Sequence, residues 1–433
     1  MEMVIALLIL VFTMIIGIPI PFVFLATVIY LIFSLGYDPS FLIPYGFSKL
    51  NNMVLLAIPL FVMAGSIMST GGIAKRIVEF AELFIGRIKG GMGLVTIIAC
   101  AFFGAMSGSA AAALTSIGKI MLPRMEQSGY SKGFATSLIS SASVLGLLIP
   151  PSALIILYAW IGNQSVLASF LATVVPGIIL MIFLSIINTI YMKKRHIEKV
   201  ENSEEILLSR GKKFQKRTIA ASPGLLMPFI VLGSIYGGIM TPTEAAAVSV
   251  IYAIPVGIWF YRELNLKGLS EALVEAATTT GVLMVMLYAI MILSRIIIME
   301  NVPNTLMELL LKITDNPLLL MLIINLFLII IGMLMDDVSA VLLSTPLLLP
   351  IVVSLGVDPI HFAAIIGVNL GLGLLTPPTA PLLYLGGRLS KAQIKDLLGP
   401  TMVMILFAWI PTLLITTYIP EVALFLPELL LGK

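Results

Sequence analysis

The sequence predicts an all-α, polytopic membrane protein built from two repeated halves, and three observations support this fold class. The 433 residues are 59% apolar and only 11% charged, whereas a soluble domain has about 45–50% apolar and about 25% charged residues. Apolar runs of about 20 residues, the length that crosses a bilayer as a helix, recur along the chain. A block of eight residues also recurs 227 positions later in a similar neighbourhood. These features exclude a soluble enzyme and a disordered chain.

The reactive residue types are too sparse for most cofactor chemistry. Cys100 is the only cysteine, so neither an intrachain disulfide nor a cysteine cluster for zinc can form. The two histidines, His196 and His361, lie far apart in the sequence. The net charge of +3 gives no indication of a nucleic-acid partner, and no Walker-type phosphate loop is present. We therefore expect no enzyme activity and no organic cofactor, and any transport must draw on an ion gradient or another subunit.

The first half, residues 1–192, is predicted to contain five spans, one interfacial helix and one re-entrant hairpin. The interfacial segment is amphipathic and too charged to cross lipid, so we place it along the membrane surface as an arm helix. The hairpin surrounds a tip of small residues, and a later span is interrupted by two prolines. The predicted elements are scaffold helices within 1–70 (spans 3–17, 19–36 and 50–69), arm helix 73–89, hairpin one 92–122, Pro-broken helix 133–160 and span 168–192.

The second half, residues 218–433, is predicted to repeat this order. A polar stretch at 193–217 carries nine Lys or Arg and four Glu residues, and we interpret it as a cytoplasmic linker between the halves. The predicted elements after it are spans 219–236, 243–261 and 273–298, arm 300–315, hairpin two 317–352, Pro-broken helix 360–387 and span 400–419.

The distribution of basic residues predicts the orientation. If each hairpin enters and leaves on one side, 21 of the 25 Lys and Arg residues lie on one face, which the positive-inside rule assigns to the cytoplasm. This arrangement has ten full spans and places both termini outside. Five spans in each half is an odd number, so the second half is inserted upside down relative to the first. No basic segment precedes the first apolar run, so we expect no cleavable signal peptide.

The repeat is most evident around two pairs of adjacent prolines. Gly146–Ala153 (GLLIPPSA) matches Gly373–Ala380 (GLLTPPTA) at a shift of 227 residues. At the same shift Leu122-Pro123 falls on Leu349-Pro350, Gly129 on Gly356, and the hairpin residue Ser109 on Asp336. Inverted repeats of this kind are typical of secondary transporters.

The proline pairs predict cation sites. Proline breaks the helical hydrogen-bond ladder, and freed carbonyls inside a membrane are tolerated where they line a cavity or coordinate a cation. Neutral oxygens that suit Na⁺ surround both breaks, and the hairpin tips add more, two of them carboxylates. The half-helix N-termini at the tips would also attract an anion. The oxygen-bearing candidates are Ser137, Ser140, Ser141, Ser143, Asn369 and Thr376 near the breaks, with Ser107, Ser109, Asp336, Asp337 and Ser339 at the tips.

Several of these residues leave alternatives open. Serines in membrane helices also serve as close-packing contacts. Asp336 and Asp337 could either cap a helix or couple ion and substrate binding, since carboxylates at membrane depth are costly and usually functional. Arg295 could extend to the interface or attract an anionic substrate. We interpret Glu244 as a structural helix start after Pro242, and we expect His361 at the outer surface.

These motifs together resemble the large membrane (M) subunit of tripartite ATP-independent periplasmic (TRAP) transporters, over nearly the whole chain. The matching stretches are Gly104–Ala110, Leu145–Ser152, Gly237–Ala246, Met335–Pro350 and Gly356–Pro378. The resemblance implies an elevator-type fold of the ion-transporter superfamily, in which a domain with both hairpins and both Pro-broken helices slides against a scaffold. It also implies that 73–89 and 300–315 are arm helices that brace the moving domain.

The resemblance further implies sodium-coupled import of an organic acid across the bacterial inner membrane. The implied partners are a periplasmic substrate-binding (P) protein and a small four-helix membrane (Q) subunit, which we expect to be separate because the chain begins directly with the first span. By motif position, the expected Na⁺ ligands are Ser109, Ser141, Gly146 and Pro150 in one half and Asp337, Asn369, Gly373 and Thr376 in the other. The expected substrate contacts are Ser107, Ser143, Ser152, Asp336, Ser339 and Thr379.

Two other functions would use parts of the same pattern. A single-component sodium/carboxylate symporter of similar fold would work without a binding protein. An intramembrane protease would need paired aspartates on different helices or a serine with a membrane-embedded histidine. Because Asp336 and Asp337 are adjacent and His361 is expected at the surface, the sequence favours transport. The substrate stays open between C4-dicarboxylates, sialic acid and similar acids.

Overall fold

The computed structural model describes residues 1–85, 88–193 and 210–432, and these ranges are helical, with turns and short loops but no β-strand. The predicted all-α class is therefore confirmed for the described part of the chain. Residues 194–209 of the predicted linker and residues 86–87 of the predicted arm lie outside the described residues.

The described residues of the first half form eleven α-helices. The short α9 follows α8 directly, and α10 begins after the Pro150-Pro151 break. The helices are α1 (Glu2–Ile15), α2 (Ile20–Leu35), α3 (Pro39–Leu50), α4 (Ala57–Thr70), α5 (Ile73–Ile85), α6 (Gly91–Ser107), α7 (Ala110–Gln127), α8 (Lys132–Ser143), α9 (Leu145–Leu148), α10 (Ala153–Ile161) and α11 (Val166–Lys193).

The second half also contains eleven described helices, with π-helical turns at Val256–Phe260 and Ile405–Trp409. They are α12 (Arg210–Tyr236), α13 (Pro242–Pro255), α14 (Leu266–Met299), α15 (Val302–Leu311), α16 (Pro317–Leu334), α17 (Asp337–Ser354), α18 (Pro359–Gly373), α19 (Pro381–Ser390), α20 (Ile394–Met404), α21 (Ile410–Tyr418) and α22 (Pro420–Leu431).

The 227-residue repeat is visible in the helix boundaries. Adding 227 to the bounds of α7 gives the bounds of α17, and the same shift carries the start of α8 onto the start of α18. Gly129 and Gly356 both have positive φ, +84° and +83°. The Pro150-Pro151 and Pro377-Pro378 bonds are both cis. The two halves therefore share local backbone conformation as well as sequence.

The scaffold departs from the predicted elements at one point. The long α14 corresponds by the same shift to a region that is two helices in the first half, α3 and α4. The interruption lies at Asn51-Asn52, where the Asn52 side chain accepts a hydrogen bond from the Val54 amide (2.9 Å) and caps a 3₁₀ turn. Asparagine side chains compete in this way with helix continuation. The predicted span 50–69 thus begins at the 3₁₀ turn, and α3 is an additional helix.

The lengths of the described helices fit the predicted polytopic membrane fold. Within the described ranges, eight helices are long and apolar enough to cross a membrane, and a ninth counts if α8–α10, bent by 41° at the break, is one span. The first two helices, α1 and α2, are 14 and 16 residues long because Gly17, Pro19 and Gly36 bound them. Both arms of hairpin two have 18 residues, so length alone does not distinguish these arms from full spans.

We name two groups of packed helices among the described residues: the scaffold, which contains α2–α4 and α12–α14, and the hairpin region, which contains α6–α10 and α16–α19. In the scaffold, α4 packs against α13 and α14, and α14 also packs against α2 and α3. In the hairpin region, α6 packs against α8 and α9, while α16 and α17 pack against α18. The halves also interlock, because α10 contacts α17 and α19 contacts α7. The scaffold meets this region where α4 touches α6 and α14 touches α17.

Candidate ion and substrate site

The tip of hairpin one is a capped helix start. The first arm ends at Ser107, and Gly108 adopts a left-handed conformation (φ +62°) that a residue without Cβ takes most easily. Ser109 then caps α7, its Oγ accepting a hydrogen bond from the Ala112 amide (3.4 Å). The tip therefore presents the N-terminus of an 18-residue helix, with its unpaired amides and partial positive charge.

This tip lies directly against the first proline break. A Cβ on Gly104 would be 2.3 Å from the Gly146 Cα and 2.7 Å from its amide nitrogen, so the two backbones are in contact. The Ala153 amide donates to the Gly108 carbonyl (3.4 Å) across the same interface. The structure thus brings the tip of hairpin one together with break residues 146–153.

Hairpin two meets the second break in the same way. A Cβ on Gly373 would lie 2.6 Å from the Gly332 Cα, and the Thr379 hydroxyl donates to the Met333 carbonyl. Both breaks are therefore held by glycine-to-backbone contacts with the first arm of the adjacent hairpin. This close approach requires glycine, because any side chain would push the two backbones apart.

Asp336 caps α17 at the position that Ser109 occupies in the first half. Its carboxylate accepts a hydrogen bond from the Ser339 amide (3.2 Å) and from the Ser339 hydroxyl. The capping alternative therefore describes Asp336, while Asp337 is the first residue of the helix. Both carboxylates are half-buried, and Ser339 is buried beside Met286 of α14, 2.8 Å from its sulfur.

Buried oxygens without a hydrogen-bond partner cluster at the predicted site. The hydroxyls of Ser107, Ser141 and Ser152 and the Oδ1 atom of Asn369 are buried and have no partner in the described structure. A buried polar atom left unpaired costs about 1–3 kcal/mol, and these oxygens, three at the first break and one at the second, are free to accept a hydrogen bond or to coordinate a cation.

Three other predicted ligands lie at the same breaks with different surroundings. Ser143 and Thr376 donate their hydroxyls to carbonyls of their own helices, those of Ser140 (2.7 Å) and Leu372 (2.8 Å). Their oxygen lone pairs remain able to accept or coordinate. Pro150 is buried at the first break.

The two breaks lie close to each other through α18. A Cβ on Gly371 would be 2.5 Å from Val144, and one on Gly367 would be 3.1 Å from Leu148. The second Pro-broken helix therefore packs on the residues that form the first break, so the two candidate sites are neighbours.

Comparison with known proteins decides the family. The sequence model of the "Tripartite ATP-independent periplasmic transporter, DctM component" matches residues 4–422. The chain belongs to this family. It is 36% identical to the sialic acid TRAP transporter large permease protein SiaM of Vibrio cholerae and 34% identical to the C4-dicarboxylate TRAP transporter large permease protein DctM of Pseudomonas aeruginosa, covering 88% of each and 88% of this chain.

Other similarities fit the same assignment. The chain is 36% identical to the isethionate TRAP transporter permease protein DctMQ of Oleidesulfovibrio alaskensis, covering 88% of this chain and 59% of that protein. Among solved structures it resembles the YdaH transporter of Alcanivorax borkumensis, with a TM-score of 0.61, 15% identity and 88% coverage of both chains. This second likeness concerns the fold alone. The DctM-family chain is therefore a membrane transport protein, and its relatives are permeases.

The two breaks of this TRAP permease differ in exposure. Pro150, Pro151 and Ser152 are buried at the first break, whereas Pro378 and Thr379 are exposed at the second. The two breaks thus share their backbone conformation but differ in exposure. The second break is exposed on the protein surface, whereas the first is buried.

Several residues outside the predicted ligand set take defined places. His361 is buried rather than at the surface, which corrects the sequence prediction: only 3% of it is exposed, and Nε2 donates to the Thr416 carbonyl (2.6 Å). Asp358 and Pro359, just before it, form the start of α18, and the helix places His361 in the core. Glu244 lies in the first turn of α13, the helix start that the sequence predicted, and it forms a capping box with Thr241. The guanidinium of Arg295 lies 5.4 Å from the Tyr45 ring centroid.

Sequence reasoning missed Asn325 and Thr417, which contact the site through Asn369. Asn325 donates to Thr417 (3.0 Å) and accepts from Asn369 (2.9 Å). Both lie in apolar runs without a proline break, so the one signal was a polar amide inside an 18-residue apolar helix, which is costly unless paired.

Proposed function

We propose that this chain is the large permease subunit of a sodium-coupled importer of an organic acid, a C4-dicarboxylate, sialic acid or a similar carboxylate. The observation that carries the proposal is the set of buried, unpartnered oxygens at two repeat-related breaks. Neutral hydroxyl and carbonyl oxygens suit a monovalent cation with modest dehydration cost, and broken transporter helices coordinate Na⁺ in this manner. The proposed ligands are those expected from the sequence, with Asp337 supplying charge at the second site.

The anionic substrate would bind beside the hairpin tips. α7 and α17 begin there, and the N-terminal amides of both helices favour an anion. The hydroxyls of Ser107 and Ser152 have no partner among the described residues and could donate to a carboxylate. Those of Ser339 and Thr379 would first have to release the hydrogen bonds that they donate to Asp336 and to the Met333 carbonyl. Sodium bound at the adjacent breaks would raise the affinity for the anion by charge, which is the simplest physical basis for coupling.

We infer an elevator movement of the hairpin region against the scaffold. The arm helix α5 packs against α6 and α7 of the hairpin region and against α4 and α12 of the scaffold. Its Glu82 pairs with Arg124 of α7, while its Arg76 reaches Glu263 of a scaffold loop (3.6 Å). A helix tied to both bodies suits the bracing role, with α15 as its counterpart in the second half.

The assembly would include a small four-helix membrane subunit and a periplasmic substrate-binding protein in the bacterial inner membrane, with both termini periplasmic. The family description names a tripartite, periplasmic system, and one relative's name combines the M and Q components. The basic residues on the predicted cytoplasmic face support the orientation.

Uptake into proteoliposomes tests the proposal. The chain is reconstituted with its small subunit, and labelled succinate or sialic acid is supplied on the cognate binding protein under an inward Na⁺ or K⁺ gradient. Uptake should need the Na⁺ gradient and the binding protein. Uptake by the chain alone would instead indicate a single-component symporter, and uptake indifferent to Na⁺ would contradict the coupling.

A matched pair of serine variants localises the site. S141A removes a buried, unpartnered hydroxyl at the first break, whereas S249A removes a buried hydroxyl that bonds its own helix in the scaffold (2.8 Å to the Ala245 carbonyl). We expect S141A to raise the Na⁺ concentration for half-maximal uptake about tenfold, and S249A to leave it unchanged. Equal values for the two variants would remove Ser141 from the site.

A further inference from the structure

Side chains from three helices form a hydrogen-bonded series that leads to Asn369, a predicted ligand of the second break. Asn369 of α18 donates through Nδ2 to Asn325 Oδ1 of α16 (2.9 Å) and to the Ile365 carbonyl of its own helix (2.9 Å). Asn325 in turn donates through Nδ2 to Thr417 Oγ1 of α21 (3.0 Å). All three side chains are buried, with exposures of 0%, 2% and 6% for Asn369, Asn325 and Thr417.

The hydrogen-bond partners determine which atom of the Asn369 and Asn325 side-chain amides is nitrogen and which is oxygen. The Ile365 carbonyl can only accept, so the Asn369 atom facing it must be the nitrogen. The second N–H of that nitrogen then requires an oxygen from Asn325, which turns the Asn325 nitrogen toward Thr417. Both N–H groups of Asn369 are thereby used, while its Oδ1 is buried without a partner in the described structure. Two donated hydrogen bonds also polarise the amide and increase the negative charge on this oxygen.

We propose that Asn325, anchored by Thr417, is a positioning residue that holds Asn369 Oδ1 toward the cation of the second break. The inference rests on the proposed sodium site and deepens it. Without Asn325, the Asn369 amide would keep the single bond to Ile365 and could rotate, so its oxygen would no longer be fixed for coordination.

This hydrogen-bonded series has no counterpart at the first site. At the 227-residue shift, Asn325 and Asn369 correspond to Ile98 and Ala142, neither of which has a polar side chain. The first site therefore relies on serine hydroxyls and backbone carbonyls, whereas the second site has an oriented amide and a carboxylate. Perturbing Asn325 should change one sodium-binding event and leave the other.

The alternative is that the three side chains only satisfy one another as a buried structural network. That role predicts lower stability after substitution but no change in sodium affinity, so sodium affinity is the deciding quantity. Thr417→Val and Thr417→Ser form a matched pair, since valine is close in shape but lacks the hydroxyl and serine keeps it. Thr412→Val is the control: Thr412 is buried on the same helix, and its hydroxyl bonds the Ala408 carbonyl (2.7 Å).

The experiment measures thermal unfolding of the detergent-purified full chain against NaCl, with KCl holding the ionic strength constant. A ligand that binds the folded state stabilises it by RT ln(1 + [L]/Kd), so the rise of the melting temperature with NaCl concentration yields an apparent Na⁺ dissociation constant. We expect N325L and T417V to weaken Na⁺ binding about five- to tenfold, while T417S and T412V match the wild type.

The possible outcomes distinguish the positioning role of Asn325 from the proposed sodium site itself. Unchanged Na⁺ affinity in both N325L and T417V, with the wild type stabilised by Na⁺, would overturn the positioning role and leave the sodium site standing. A wild type that Na⁺ does not stabilise would overturn both. If N325L fails to fold, the comparison of T417V with T417S and T412V decides the question alone.

Discussion

Replacing Gly104 by alanine should separate hairpin one from the first break. The added Cβ would lie 2.3 Å from the Gly146 Cα, whereas ordinary van der Waals contact begins near 3.4 Å. The difference requires the two backbones to move apart by about 1 Å, because neither atom belongs to a flexible side chain. Coordination tolerates errors of about 0.2 Å, so a shift of this size would disable a cation site built from both elements.

We expect G104A to lose about 1–3 kcal/mol of stability, the usual cost of overpacking, and to lower Na⁺-driven uptake at least about tenfold. Gly281→Ala is the control, because Gly281 lies within α14 and its added Cβ meets nothing within 4 Å. That change should be neutral or slightly stabilising. The assay pairs thermal unfolding in detergent with uptake by proteoliposomes. Wild-type uptake by G104A would refute the claim that the contact between these two glycines shapes the site.

Three further predictions concern residues that the structure places in defined contacts. Asp336→Asn should keep wild-type stability because asparagine caps as well as aspartate, whereas Asp337→Asn should abolish Na⁺-driven uptake; wild-type uptake by the second variant would oppose its role. His361→Phe should lower the free energy of unfolding by about 1–3 kcal/mol, because it leaves a buried carbonyl unpaired, and an unchanged melting temperature would argue against the buried placement. Reversing the charge of Arg124 would place a second carboxylate beside Glu82, whose side chain is only 13% exposed, and should lower the melting temperature; the double reversal with Glu82 should restore it, and failure of that rescue would argue against the pair.

The features that sequence predicted best are those with local causes. The proline pairs, the small-residue tips and the 227-residue shift all act on the backbone within a few residues, so their consequences could be inferred without knowing any tertiary contact. Capping by Asp336 was one of the two alternatives that the sequence allowed, since serine and aspartate both commonly cap helices.

The features that sequence could not give depend on distant partners. α3 contains Pro44 and Gly46 and does not form a long apolar run, but Gly46 lets it pack closely on Ile292 of α14. Asn325 and Thr417 are 92 residues apart, and only the packing of α16, α18 and α21 brings them to Asn369. The burial of His361 likewise depends on Thr416, 55 residues away.

The number of sodium ions carried with each organic acid tests the central claim most directly. Proteoliposomes containing the full assembly would be given ²²Na⁺ and labelled succinate or sialic acid on the cognate binding protein, and both uptakes would be counted together. Two sodium sites predict more than one Na⁺ per organic acid, with the ratio reduced in Asn369→Ala. Organic-acid uptake with no accompanying ²²Na⁺ would contradict the assignment of the two proline breaks as coupling sites.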